Sequence, residues 1–390
     1  MIDEKAFSKL STPVKELQSE CSTEILNVIM RRIKKIKDEP SQSDLAQYDD
    51  DLLEINKIKE EYESKTHKAI ESSLIVIANM AYNDCDDLYG FARKYRPPLN
   101  KNDRLWDMTN EMITAVLLIY YGLNNDYYVR ISDIKNPSIK RNIPLATAYG
   151  QIVDKAQNAI KSNLDFDTVM LDVERDLIDN SIRIYNEGTN IDAVGGYYKA
   201  DTGYEAILNQ ALIETAQRVY DTVAKDLRCD GIEISAHLAP APDHAPCQGH
   251  QFTNQNWEYI QSGLDFVDIQ GRHYIGFRRQ IGTCNCRHVT KPIIIGKSEQ
   301  TFTDYDLERI LKANERGYNT KDGKHYTFYE CTQKLNAFRR QMERAERGIK
   351  LAESAGNMQL KAKYESSYAH YKTLYNTFKK QLDTRLYAHN

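Results

Sequence analysis

Two helical stripes near the end of the chain restrict its fold more than any other feature. Leu335, Phe338, Met342, Ala345 and Ile349 are spaced 3, 4, 3 and 4 residues apart. Tyr364, Tyr368, Tyr371, Tyr375, Phe378 and Leu382 follow with steps of 4, 3, 4, 3 and 4. Apolar residues recurring every three to four positions line one side of a helix, and two such helices hide that side by pairing. The tetrapeptide SAGN, Ser354 to Asn357, separates the two runs. The pattern predicts a helical hairpin of coiled-coil type over residues 331–390, with arms on the order of 35 Å long at the helical rise. This segment holds 12 basic and 5 acidic side chains, a net +7, on a chain whose total is −4. Such a hairpin suits a phosphate backbone or an acidic protein surface, although a solvated face without a partner would carry the same charge. Arg339, Arg340, Arg344, Arg347 and Lys350 are its candidate contacts to DNA or to a partner.

The rest of the chain reads as mainly α with a small α+β module. Residues 1–85 read as long, exposed helices. Ile25, Val28, Ile29, Ile33 and Ile36 share one face, with Ser22 or Thr23 as a candidate cap, and Leu45, Tyr48, Leu52, Ile55, Ile58 and Tyr62 share another. Residues 1–66 carry 11 basic and 15 acidic side chains. Pro97 and Pro98 end this region. A more apolar helix is expected from about Asn102 to Tyr121, stopped at Gly122, then irregular or extended chain over 123–145. Helix is expected again over 146–190, then a Gly- and Asn-rich loop, then a long helix closed by Asp230-Gly231. From residue 231 the texture changes: IEISAHL alternates as a strand should, APAPDHAPCQGHQF must be a loop, RHYIGFRRQIG is short and β-like, and KPIIIG reads as a short buried strand. The expected divisions are an N-terminal long-helix region (1–98), a central helical domain (99–230), an α+β Cys/His module (231–300), and a linker with the basic C-terminal helical hairpin (301–390).

Tyrosine is abundant, 26 against 10 Phe and 2 Trp. A tyrosine packs its ring while wetting its hydroxyl, which suits thin cores and large interaction surfaces. MIDEKAFSKL has no apolar core behind its charges, so no secretory leader is expected. The longest apolar runs, 73–82 and 112–122, are far short of the roughly 20 residues that span a bilayer, so no membrane partner is expected.

The chemistry-bearing residues concentrate in the module. Cys229, Cys247, Cys284 and Cys286 fall within sixty residues of one another, together with five of the nine histidines. The odd total of seven cysteines argues against a disulfide framework. The turn GTCNCRH offers Cys284, Cys286 and His288; the prolyl loop offers His237, His244, Cys247 and His250. A structural zinc needs about four Cys or His donors, and the types suffice. The C-x-C spacing differs from the common C-x2-C knuckle, so a hydrogen-bonded polar core built from the same residues stays open. No H-E-x-x-H, no zinc-deaminase signature and no phosphate-binding glycine loop occurs. Cys286 beside Arg287 and His288 could form a thiolate, but no oxyanion device accompanies it, and no catalytic residue is expected.

The module's motifs resemble those of the phage minor capsid protein 2 family, which is related to the Mu F-like head morphogenesis proteins. The resemblance rests on an S-A-H strand end (Ser235, Ala236, His237), an H-x-x-x-Q-G loop (His244, Gln248, Gly249) and an N-C-R-H-x-x-x-P-x-x-x-G turn (Asn285 to His288, Pro292, Gly296). It extends over roughly residues 146–385, taking in the Arg-rich hairpin; residues before about 130 are not matched. Cys247 stands where an aromatic residue is expected and Cys284 where a small one is, so both look like extras. If the family shares a metal or polar core, its members here are His237, His244, Cys286 and His288, with zinc as the implied ion. The resemblance implies a structural protein of the virion, assembled in the host cytoplasm and lying inside the head near the portal. Its implied partners are the portal protein, the major capsid or scaffold protein and packaged double-stranded DNA, with an oligomeric state imposed by the portal vertex. The alternative is a metal-dependent hydrolase or transferase carried in the head and delivered with DNA.

Overall fold

The computed structural model describes residues 1–40, 45–124, 126–132, 139–186, 196–242, 244–267, 272–274, 276, 280–282, 286–320 and 323–387. Cys284 and Asn285 lie outside the described residues. The architecture is mainly α with a small α+β component, as the periodicity predicts.

The first helix differs most from expectation. α1 (Glu4–Asp38) is one continuous helix, capped by the Asp3 carboxylate accepting from the Lys5 amide rather than by Ser22 or Thr23. Ser22 is buried, and the Thr23 hydroxyl donates back to the Ser19 carbonyl. Far from being exposed, α1 is the centre of the molecule. It packs against α2 (Leu45–Asn83), α5 (Leu145–Lys161), α7 (Ala200–Leu227) and α10 (Phe328–Ser354), and Ile25, Leu26, Ile29 and Met30 are fully buried. Its charged residues sit at the margins, where Lys15, Arg32 and Lys37 find carboxylates on other elements. One apolar core runs from Ile2 through α1, α2, α4 (Asp103–Asn124), α7 and on to Tyr364, so it spans the expected boundaries at 98 and 230.

Tyrosines build that core. Tyr82, Tyr120, Tyr149 and Tyr220 are among its largest fully buried side chains. A buried hydroxyl needs a partner. Tyr220 donates to Asp84 at 2.7 Å, Tyr127 donates to Gln18 Oε1 at 3.2 Å, and Gln18 Nε2 in turn reaches Thr66 and Tyr120. Tyr149 donates to Asp51, which also pairs with Arg32. The tyrosines therefore wire helices together inside the fold as much as they decorate surfaces.

Within the span 123–145, expected to be irregular or extended, Tyr127–Ser132 and Lys140–Pro144 are strands. β1 (Tyr127–Ser132) lies between β2 (Lys140–Pro144) and β3 (Ile182–Asn186), and β3 pairs with β4 (Gly196–Lys199), all antiparallel. SIRIY, expected as helix, is therefore strand β3. The helix before it, α6 (Phe166–Asn180), stops because Ser181 adopts φ +55°, and the period-2 pair Ile182 and Ile184 faces the core. Gly122 does not stop α4, which runs on to Asn124. α7 ends at Leu227 on the left-handed Arg228, before Asp230-Gly231.

The module hangs on α7. Its sheet has the order β6-β5-β9, with β5 (Gly231–Ile234) between β6 (Gln251–Thr253) and β9 (Thr290–Ile293), both antiparallel to it. Pro292 costs no ladder bond because β9 is an edge strand. A helix that the pattern reading missed, α8 (Asn254–Gln261), follows β6 with Thr253 as its cap. A short helix α9 (Asp304–Arg316) fills the expected linker, started by a Thr303–Asp306 capping box. The hairpin is as predicted: α10 is joined to α11 (Met358–Tyr387) by a turn in which Gly356 adopts φ +71°.

Candidate metal centre

The prolyl loop is organised before it reaches its histidines. The His244 amide donates to the Ala241 carbonyl at 3.0 Å, the Gln248 amide donates to the His244 carbonyl at 3.2 Å, and the Gly249 amide returns to Ile234 on β5 at 2.9 Å. These consecutive turns push His244, Cys247 and Gln248 inward, and all three are buried. Gly249 takes φ +73°, and a Cβ there would meet Leu307 of α9 at 2.3 Å, so the tight return needs glycine. On the other side, α7 clamps the segment leading into β9. Gln217 Oε1 accepts from both the amide and the hydroxyl of Thr290, and Gln210 Nε2 donates to the Gly282 carbonyl at 3.0 Å. The Ser235 hydroxyl accepts from the Val289 amide at 3.0 Å, which ties the end of β5 to the start of β9.

Cys286 and His288 thereby meet His244. Cys286 Sγ lies 3.6 Å from His244 Nδ1 and 3.6 Å from His288 Nδ1. One donor atom from each residue falls within 4.8 Å of the others, and all three side chains are buried. Gln248 fixes the orientation of His288. Its Oε1 accepts from the His237 backbone amide at 3.1 Å, and an amide N–H can only donate, so the oxygen is placed. His288 Nε2, 3.4 Å from that same oxygen, must carry a proton to face it. The Nδ1 lone pair of a neutral His288 is then left pointing at the sulfur. Burial pushes the Cys286 thiol up, but the hydrogen bond with His244 and the amides of Gly282 and His288 outweigh it and hold the thiol below its usual range. Elsewhere burial wins: Cys21 is pushed up to about 12, and Cys229 and Cys331 up to about 11.

His237, the fourth expected ligand, is not part of this cluster. Its ring stacks on His288 with centroids 4.3 Å apart, and its Nδ1 faces the Leu238 carbonyl at 2.9 Å. Cys247 is buried in the module's small core and is no member of the triad, in keeping with its reading as an extra. The residue that sequence reasoning left without a role is Gln248. Its signal was present in the H-x-x-x-Q-G spacing, one helical turn from His244. A cleft of about 620 Å³ between α7 and α8 is lined by Gln217, Asp221, Trp257, Gln261, Gly282 and Thr290, and none of the triad lines it. The 3%-exposed Cys286 has no open face there for a substrate.

The five expected contact residues on α10 divide. Arg344 grips the Asp179 carboxylate with Nε at 2.7 Å and a terminal nitrogen at 2.6 Å. Arg347 is 6% exposed, with Nε directed to the Ile178 carbonyl and Asp201 4.0 Å away. Both hold the hairpin to the body: Arg347 is buried, and the part-exposed Arg344 is paired with Asp179. Arg339, Arg340 and Lys350 are exposed. No described helix is long and apolar enough to cross a membrane.

No curated protein and no solved structure matches this chain. The profile of the family described as phage minor capsid protein 2 matches residues 2–378, which extends the resemblance from residue 146 back through α1 to α4. A match over nearly the whole length, with that family's loop and turn residues assembled around one buried centre, means that the chain belongs to the phage minor capsid protein 2 family.

Proposed function

We propose that this virion structural protein sits inside the head near the portal and lays the free end of its hairpin against packaged double-stranded DNA. The observation that carries the reading is where the charge sits. Residues 331–342 and 366–382, the half of the hairpin away from the body, contain six basic side chains (Lys334, Arg339, Arg340, Lys372, Lys379 and Lys380) and no acidic one. Five of the six are exposed, whereas Lys334 lies over the Tyr326 ring. A cluster of one sign without internal neutralisation favours a polyanion. On α2 the exposed Asp49, Asp50 and Glu60 offer acidic contacts to a portal, capsid or scaffold protein, while Glu54 and Glu61 pair with Arg31 and Lys65.

The test is DNA binding by the full chain as a function of salt. Each phosphate contact steepens the log–log slope by about 0.9, so changing Arg339, Arg340, Lys379 and Lys380 together to Gln should flatten it by about 3 to 4. No binding at low salt, or an unchanged slope in the fourfold variant, overturns the DNA reading. Cross-linking in purified virions tests the location: adducts to portal protein support it, and adducts confined to the outer capsid surface refute it.

A further inference from the structure

The geometry points to a zinc ion held by His244 Nδ1, Cys286 Sγ and His288 Nδ1, serving as a structural pin of the module. Four-coordinate zinc has bonds of about 2.3 Å to sulfur and about 2.05 Å to imidazole nitrogen, so sulfur and nitrogen on one tetrahedron stand about 3.6 Å apart. Both S···N distances here are 3.6 Å, so two edges of that tetrahedron are already set. The tautomer agrees. Gln248 Oε1 accepts from the Nε2–H of His288, which puts the Nδ1 lone pair of the ring on the side of Cys286 Sγ. An amide oxygen on the far nitrogen of a ligating histidine is the usual outer support of a metal site.

A thiol that donates to His288 Nδ1 and accepts from His244 would satisfy the same two distances, so metal content is what separates a zinc site from a hydrogen-bonded thiol. On binding, Cys286 releases its proton to solvent and both imidazoles coordinate neutral.

Apart from its clamp on α7, the module has only a small core of its own. Its separate core among the described residues consists of Ile234, Cys247, Phe252, Ile260, Tyr274, Ile281 and Cys286, with a prolyl loop lying across it. Small units with cores of this size commonly depend on a metal or a disulfide, and the described cysteines form no disulfide. Zinc would bridge residues 42 positions apart in the chain, joining the loop to the turn before β9. The burial of all three ligands closes the ion off from substrate, and a fourth donor such as water would complete the tetrahedron.

The test uses the full-length chain purified without chelator. Elemental analysis should find about one zinc per chain. After stripping, Co(II) should produce a thiolate-to-metal charge-transfer band. Cys286→Ser should lose both signals, and Cys229→Ser, altered at a cysteine outside the triad, should keep both. If Cys286→Ser fails to fold, the wild type decides: chelation should expose residues 231–300 to protease, and added Zn(II) should restore protection. Less than about a tenth of an equivalent of zinc, together with no Co(II) band on the stripped wild type, overturns the proposal.

Discussion

Gly348 of α10 lies against the Tyr364 ring of α11, and replacing it with alanine sets two large effects against each other. Glycine inside a helix costs about 1 kcal/mol relative to alanine, so propensity alone predicts that Gly348→Ala stabilises α10. The packing predicts the opposite. A Cβ on Gly348 would lie 2.5, 2.6 and 2.7 Å from Tyr364 Cγ and its two Cδ atoms. Ordinary carbon contacts need about 3.5 to 4.0 Å, so the ring would have to retreat by about 1 Å. It has nowhere to go without loss. Tyr364 is 4% exposed, and its hydroxyl donates to Asp179 at 2.7 Å, on the carboxylate that Arg344 also grips. Overpacking costs about 1 to 3 kcal/mol, and losing a hydrogen bond to a charged group about 1.5 to 3 kcal/mol. The balance is a net destabilisation of about 1.5 to 5 kcal/mol, read from urea unfolding followed by circular dichroism. Tyr364→Leu makes room, so in the double variant the two costs should fall short of additivity by at least about 1 kcal/mol. A Gly348→Ala protein as stable as wild type, or additive costs in the double variant, would refute the close-crossing argument.

Two further predictions concern buried charge. Burial, followed by the neighbouring Arg347, lowers Lys199 to about 8. An unfolded lysine titrates near 10.4, so between about pH 8 and 10 the unfolded chain holds the extra proton and stability gains with rising pH. The stability of wild type relative to Lys199→Met should therefore climb over that window and stay flat below it, which denaturant titration at stepped pH would measure. Glu174 is raised by burial, against the opposing hydrogen bond from Asn357. A raised carboxyl loses stability as pH climbs from its unfolded value through its folded one, so Glu174→Gln, which still accepts from Asn357, should match or exceed wild-type stability at neutral pH and lose that advantage in acid. A marked neutral-pH loss in that variant would show the charge to be needed.

Some elements were legible because one periodicity controlled them. The hairpin is the clearest: its stripes of 3 and 4 face each other, and both its interruption and its basic excess are local properties of the sequence. α1 was legible as a helix but not as the centre. Its charged residues look solvated in sequence, and only the fold shows that their partners arrive from distant elements, as Lys15 reaches Glu343 and Lys37 reaches Asp167. Strand β3 was hidden because Ile182 and Ile184 continue a helical-looking run. The break is the backbone of Ser181, a residue type that carries no strong left-handed signature. At the centre, the identities of His244, Cys286 and His288 were readable, but their convergence was not. It depends on a chain of turns closing on β5 and on Gln217 and Gln210 reaching from α7. His237 looked equivalent to the other two histidines in sequence. One bond from its ring nitrogen to the adjacent Leu238 carbonyl and its stack on His288 set it apart.

The arginines of α10 divide along the helix without a change in composition. Arg339, Arg340, Arg344 and Arg347 are indistinguishable by charge count, yet their places along α10 separate them. Those near the body meet Asp179, Asp201 and the open carbonyls at the end of α6, where a planar guanidinium satisfies several acceptors at once. Those one or two turns further out are exposed, and the nearest carboxylate after them on α10, Glu343, is paired with Lys15. Replacing Arg347 should thus loosen the hairpin and lower stability, while replacing Arg339 and Arg340 should leave stability unchanged and act only on what the hairpin touches. A net charge assigned to the whole hairpin overstates its reach toward DNA, because the arginines nearest the body are already neutralised by it. What remains is a shorter, wholly basic tip, and that tip is the part whose removal should abolish salt-sensitive binding.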